Sequence, residues 1–258
     1  MLLRLFARNS LIDVETQQWL FACADWAIKH FDQDYFTHQS RLILPTNTFY
    51  PGRVASVEEM ATAIYDNTLN YCGLTQWPFT LKAFHHKSQV ELPKVRVEGK
   101  YRGIRAKVSV VDAMPSVEIG YAYAQINQPQ DMIATFVQQF ASVLVMSANV
   151  LPPGGKAMLP QAIDVLSCFM GFGVIFANTA YQFKGGCGSC FNPRANRQVA
   201  LPENDMLYAL AIYCVVKNDP KSDVISHLKK HLRSPFKKMY NEVQALQKEQ
   251  KKFLPTIA

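Results

Sequence analysis

Hydrophobic positions along this chain change period twice, and each change predicts a different kind of element. Over residues 14–33, Val14, Trp19, Leu20, Cys23, Ala27 and Phe31 recur near helical spacing, which predicts a first helix. RLILPTNTFYPG, residues 41–52, is a short apolar stretch ended by turn residues. Ser56 then stands as the N-cap of a second helix, with Glu59 three residues on in capping-box position, running to about Cys72. Between 78 and 123 the period becomes two. FTLKAFH, KVRVEGKYR, IRAKVSVV and VEIGYAY alternate and are rich in Val, Ile and Tyr, which predicts three or four antiparallel strands of a small sheet.

After Pro129 the helical period returns. One helix is expected over about 130–148, stopped by the PPGG at 152–155, and another over about 160–182. A glycine-rich loop, KGGCGSCFNPR, fills 184–194. Pro202 opens a helix over 203–217, with Leu207, Leu210, Ala211 and Cys214 as its stripe, and a basic helical region runs from Lys221 to Lys252 with a break expected at Pro235. No repeat, low-complexity segment or linker interrupts this order. It predicts a single α+β domain over 1–258, with N-terminal helices and a small, mostly antiparallel sheet in about 1–127 and a helical half in about 128–258.

The helix over 130–148 breaks the usual rule for a surface helix. No charge occurs from Met132 to Gly155. Ile133, Phe136, Val137, Phe140, Ala141, Leu144 and Val145 share one broad face, while the back carries Thr135, Val143 and Met146 in place of Lys or Glu. Such a helix is expected to be buried nearly all round. Between Met132 and Met146, besides Thr135, its polar residues are Gln138 and Ser142, which are i and i+4 on one flank, and Gln139 beside them. That is the spacing of H-E-x-x-H, in which two histidines hold zinc and the glutamate is general base for the bound water.

Composition changes the picture in two places. Half the chain is apolar (49%) and 18% is charged, which suits a folded core. The start, MLLRLFARNSLIDVE, is too broken by Arg4 and Arg8 for a secretory signal, and the longest apolar run, Val165–Ala177, is shorter than a membrane span. Both lead to the expectation of a cytoplasmic protein without a membrane, its six cysteines reduced. The net charge of +7 is regional: 94–107 holds six Lys/Arg against one acid, and 217–252 holds ten against four.

Five stretches, in order, resemble an uncharacterised family of bacterial zincin-like proteins. They are WLFACADWAIKHF (19–31), LILPTNTFYPGR (42–53), IATFVQQFASVL (133–144), IDVLSCFMGFGVIFANTAYQF (163–183) and LPENDMLYALAIY (201–213). The resemblance implies a zincin-like fold, with a small sheet over the motif helix and a second helix supplying a third ligand. It also implies a degenerate member. Gln138 and Ser142 take the places of the two histidines and Gln139 that of the base; the acidic ligand expected shortly before Asp164 is missing, while Asp164 remains in a supporting position. An amide is a poor zinc ligand, a serine hydroxyl a worse one, and Gln139 cannot take a proton from water. The expectation is therefore a pseudoenzyme with no cofactor, acting as a binding or structural module.

Other residues offer alternatives. Lys94, Arg96, Lys100 and Arg102 would share one strand face, and with Lys229, Lys230 and Arg233 in the tail they would follow a polyanion, either nucleic acid or an acidic protein. The structural alternative is a solvated face that deters edge pairing. Cys187 and Cys190 form the one CxxC, half a zinc site or a redox pair, and would carry any unrecognised enzymatic chemistry. The single cysteines Cys23, Cys72, Cys168 and Cys214 read as core. His227 and His231 are i and i+4 but crowded by Lys229, Lys230 and Arg233.

Overall fold

The structure is a computed structural model that describes residues 10–52, 55–84, 94–111, 116–180 and 195–249. It is mixed α+β, as the order of periods predicts. Its backbone contacts form two compact units, each assembled from separated stretches of chain: Met1–Leu44, Leu151–Tyr181 and Val199–Ala258 in the first, Pro45–Val150 and Gln182–Gln198 in the second. The helix after Pro129 belongs with the strands in the second unit.

In the first unit, α1 (Val14–His30) starts at Asp13, whose carboxylate accepts the Thr16 N–H at 2.8 Å. This N-cap satisfies a donor the helix itself leaves unbonded. Asp13→Ala is expected to lower stability by about 1 kcal/mol, read as a shift in the urea midpoint at unchanged slope. A short α2 (Gln33–His38) follows.

In the second unit, α3 (Val57–Cys72) starts as its sequence predicts, with the Ser56 hydroxyl accepting the Glu59 N–H at 3.1 Å. The reciprocal arm is displaced by one residue, since Glu59 accepts from Ala55 N–H rather than from Ser56. Among the described residues four strands follow: β1 (Phe79–Ala83), β2 (Val95–Gly99), β3 (Ala106–Val110) and β4 (Val117–Tyr121). They form two separate pairs. β2 and β3 are an antiparallel hairpin, Val97 opposite Val108, while β1 and β4 run parallel, Leu81 opposite Ile119. The expectation of a small, mostly antiparallel sheet holds for β2–β3 and is corrected for β1–β4, because alternation reports which face a side chain takes and carries no information on strand direction.

α4 (Pro129–Ala148) is the core helix of this unit. Phe136 and Phe140 lie against Tyr65 of α3, with ring centroids 5.7 and 5.9 Å away, and Phe140 meets Phe79 of β1 at 5.1 Å. Tyr121 of β4 closes on Phe136 at 6.4 Å. With neighbours on these sides, a charge would be desolvated without compensation, which is why the helix carries none from Met132 onward. Val143 on its back is buried, but Met146 is 59% exposed, so the last turn does reach solvent. The helix stops at Asn149, left-handed at φ 51°, before the prolines are reached.

The remaining elements return to the first unit. The helix expected over 160–182 is interrupted: α5 (Leu159–Ser167) passes through a π-helical turn, Cys168–Phe172, into α6 (Gly173–Thr179). At the turn, Gly171 has φ 107°, and its carbonyl accepts the Ile43 N–H at 2.8 Å. The extended 41–43 segment passes so close that a Cβ on Gly171 would lie 2.2 Å from the Arg41 carbonyl oxygen. α7 (Glu203–Lys217) follows, with every residue from Met206 to Val216 buried, so the expected stripe is in fact its whole circumference. α8 (Lys221–Ile225) and α9 (Lys230–Glu249) complete the described chain. The helical tail breaks at 226–229 and runs on through Pro235. A proline so near the start removes one intrahelical hydrogen bond, and burial of Leu232, Phe236, Met239, Tyr240, Val243 and Leu246 offsets that loss.

By length and composition, Pro129–Ala148 and Gly155–Thr179 could each cross a membrane; both are mostly buried within the protein. They are core helices.

Candidate functional site

The motif positions on α4 are occupied by side chains that bond backbone. β4 uses alternate residues to pair with β1: Val117 N–H donates to Pro78 O, and Phe84 N–H donates to Tyr121 O. Alternation leaves the N–H and C=O of Gly120 directed to the opposite edge. Gln139 meets both. Its Oε1 accepts the Gly120 N–H at 2.8 Å and its Nε2 donates to the Gly120 carbonyl at 2.8 Å. One carboxamide thus acts as a single residue of a further strand. Nε2 also lies 3.2 Å from the Thr135 carbonyl of its own helix.

The next group on that edge is closed in the same way. Ala122 N–H donates to Gln125 Oε1 at 3.0 Å, Gln125 Nε2 donates to Thr135 Oγ1 at 2.8 Å, and Thr135 Oγ1 donates to the Asp131 carbonyl at 2.8 Å. Two glutamines therefore tie the outer edge of β4 to α4. Gly120 is fixed from its other side too, since a Cβ there would fall 1.9 Å from the ring of Phe84.

Gln138 and Ser142 do share a flank, as their spacing predicts, but they do not converge as ligands. Gln138 Nε2 donates to the Gln198 carbonyl at 2.9 Å. Ser142 Oγ donates to the carbonyl of Gln138 at 2.7 Å, the i−4 back-bond typical of a mid-helix serine. Asp164, in the other unit, is fully buried, and its Oδ2 accepts the N–H groups of Ala200 and Leu201 at 3.1 and 3.0 Å. Those amides directly precede Pro202 and α7, so this carboxylate holds the entry to that helix.

This donor set does not fit zinc. Gln139 has both ends of its amide engaged, Ser142 presents a neutral hydroxyl that already donates, and Gln138 offers only an amide oxygen. Among the described residues no group of three His, Cys, Asp or Glu is placed to hold a metal ion. Cys187 and Cys190 lie outside the described residues. Cys23, Cys72, Cys168 and Cys214 are buried free thiols, as their single placement in helical patterns predicts, and burial raises all four pKa values, that of Cys72 to about 12. Such thiols are poor nucleophiles.

The basic candidates divide. Lys94, Arg96 and Lys100 are exposed, whereas Arg102 is buried, its Nε donating to the Cys72 carbonyl at 2.8 Å. Arg102 is thus a cap on the C-terminus of α3, where a cation is favoured, and not part of a basic strand face. Lys229 and Lys230 are exposed; Arg233 is half-buried and caps the turn after α8 through the carbonyls of Leu228 and Ser226. His227 and His231 are not one helical turn apart, because the break at 226–229 separates them; His231 lies 3.2 Å from Glu203.

Four residues that sequence reasoning did not reach complete the picture in the second unit. Asp131, in the first turn of α4, accepts the Arg197 N–H at 2.9 Å, and Asn196 Nδ2 donates to Gln128 Oε1. Arg197 itself is 1% exposed. The single sequence signal was an acid in the first helical turn, which marks a helix start but names no distant partner.

Compared with protein-family models, with curated proteins and with solved structures, the chain gives no match.

Proposed function

We infer that this chain is a non-hydrolytic, zincin-like protein of the cytoplasm that acts as a binding or structural module. The observation that carries the reading is the two-point bond between Gln139 and Gly120. A carboxylate at that position could accept from the Gly120 N–H but could not donate to its carbonyl. The residue type that general-base chemistry needs is therefore the one this site disfavours. Gln138, Ser142 and Asp164 support the reading in the same way, since each bonds backbone of its own unit.

Metal analysis of the purified full chain tests it. The expected result is no stoichiometric zinc and no hydrolysis of denatured casein in zinc-supplemented buffer. One zinc per chain that survives the double substitution Cys187→Ser/Cys190→Ser would overturn the reading, as would metal-dependent hydrolysis.

A further inference from the structure

We propose that the exposed ridge of α9 is a docking surface for the phosphate backbone of nucleic acid, read without regard to base sequence. This is independent of what the motif helix does. At 100° per residue, Lys230, Lys237 and Lys248 fall on one line of the helix, with Ser234 and Asn241 between them and Lys238 on the flank. All six are exposed. Lys221, also exposed, donates its Nζ to Asn241 Oδ1 at 2.8 Å, which brings another cation to the same line. From Lys230 to Lys248 the ridge spans roughly 27 Å at 1.5 Å per residue.

Two features separate this ridge from an ordinary solvated face. A face kept for stability pairs opposite charges at i+3 or i+4; on the flank Lys238 has Glu242 at i+4, but no Asp or Glu lies three or four residues from Lys230, Lys237 or Lys248 on the line itself. The start of the helix also runs against its dipole, since Lys230 opens it and its first turn has no acid. A lysine placed there destabilises the free helix slightly, and an anionic partner removes that repulsion. The polar residues between them, a serine and an asparagine, are of the kind that donate hydrogen bonds to phosphate oxygens.

The same helix argues against a bilayer as the partner. Its apolar residues, Leu232, Phe236, Met239, Tyr240, Val243 and Leu246, are all buried in the protein, so no apolar face remains to enter lipid. The exposed large hydrophobic residues among those described (Leu11, Ile104, Val111, Tyr123, Met146 and Leu151) all lie elsewhere.

Fluorescence anisotropy of the full chain with labelled duplex DNA and single-stranded RNA, each in two unrelated sequences, tests the proposal. Binding should be alike for both sequences and fall roughly 50- to 100-fold between about 50 and 200 mM salt, as neutralisation of three or four phosphates requires. Lys230→Gln/Lys237→Gln/Lys248→Gln should weaken binding at low salt at least about tenfold and flatten the log–log salt slope by about 3, with the circular dichroism spectrum unchanged. Lys94→Gln/Arg96→Gln/Lys107→Gln, in the β2–β3 hairpin, should leave both quantities within about twofold. No binding at low salt, binding only to phosphatidylserine vesicles, or loss confined to the hairpin variant would each overturn the proposal.

Discussion

Gly171→Ala is expected to destabilise the protein by about 3–5 kcal/mol, with a fall of roughly 10 °C in the thermal midpoint. Two effects add. The residue has φ 107°, a conformation in which an L side chain is strained, and the new methyl would overlap the Arg41 carbonyl at 2.2 Å. The oxygen belongs to backbone, and the same stretch of chain donates Ile43 N–H to Gly171, so relief would break that bond. Gly52 provides the control. It has φ 109°, but no atom of the described residues lies within 4 Å of the place a methyl would take there. Gly52→Ala should therefore cost about 1–2 kcal/mol, the strain alone. Urea unfolding followed by circular dichroism measures both; equal losses would mean that the 41–43 segment does not press on the π turn.

Gln139→Glu should cost about 2–4 kcal/mol at neutral pH, although it changes one atom pair and restores the acid of the motif. The carboxylate would lose the donor to Gly120 O and the Thr135 carbonyl contact, and it would place a charge against two carbonyl oxygens. Gln139→Met, which keeps the volume, should cost about 1–3 kcal/mol by leaving the Gly120 N–H and C=O unpaired. The two variants separate by pH. A carboxyl penalised when charged has its folded pKa raised above the unfolded value of about 4.3, so its deficit develops as pH rises through that value and shrinks below it. The methionine variant should show no such dependence. If Gln139→Glu proved as stable as the parent at pH 7, the amide would not be holding the strand edge.

Local chemistry in this sequence was legible wherever both partners lie within one helical turn. Ser56 and Glu59 predict the start of α3, and single cysteines in apolar patterns predict buried thiols. What escaped was any relation between distant segments. Alternation over 78–123 finds the strands but not that β1 and β4 run parallel. Arg102 looks like its basic neighbours until the end of α3 meets it. Pro235 reads as a break by propensity, yet six buried side chains carry the helix past it. The glutamines of α4 were legible as an unusual pair at a motif spacing. Gly120, which explains one of them, lies on a strand whose outer edge no sequence pattern marks.

The two strand pairs also set an order in time. The β2–β3 hairpin joins neighbouring segments and can close early, whereas Phe79 meets Val117 only after the intervening chain has been drawn into a loop. If the bonds from Gln139 to Gly120 form after that loop has closed, they act as a latch, slowing the opening of the native unit and contributing little to how fast it assembles.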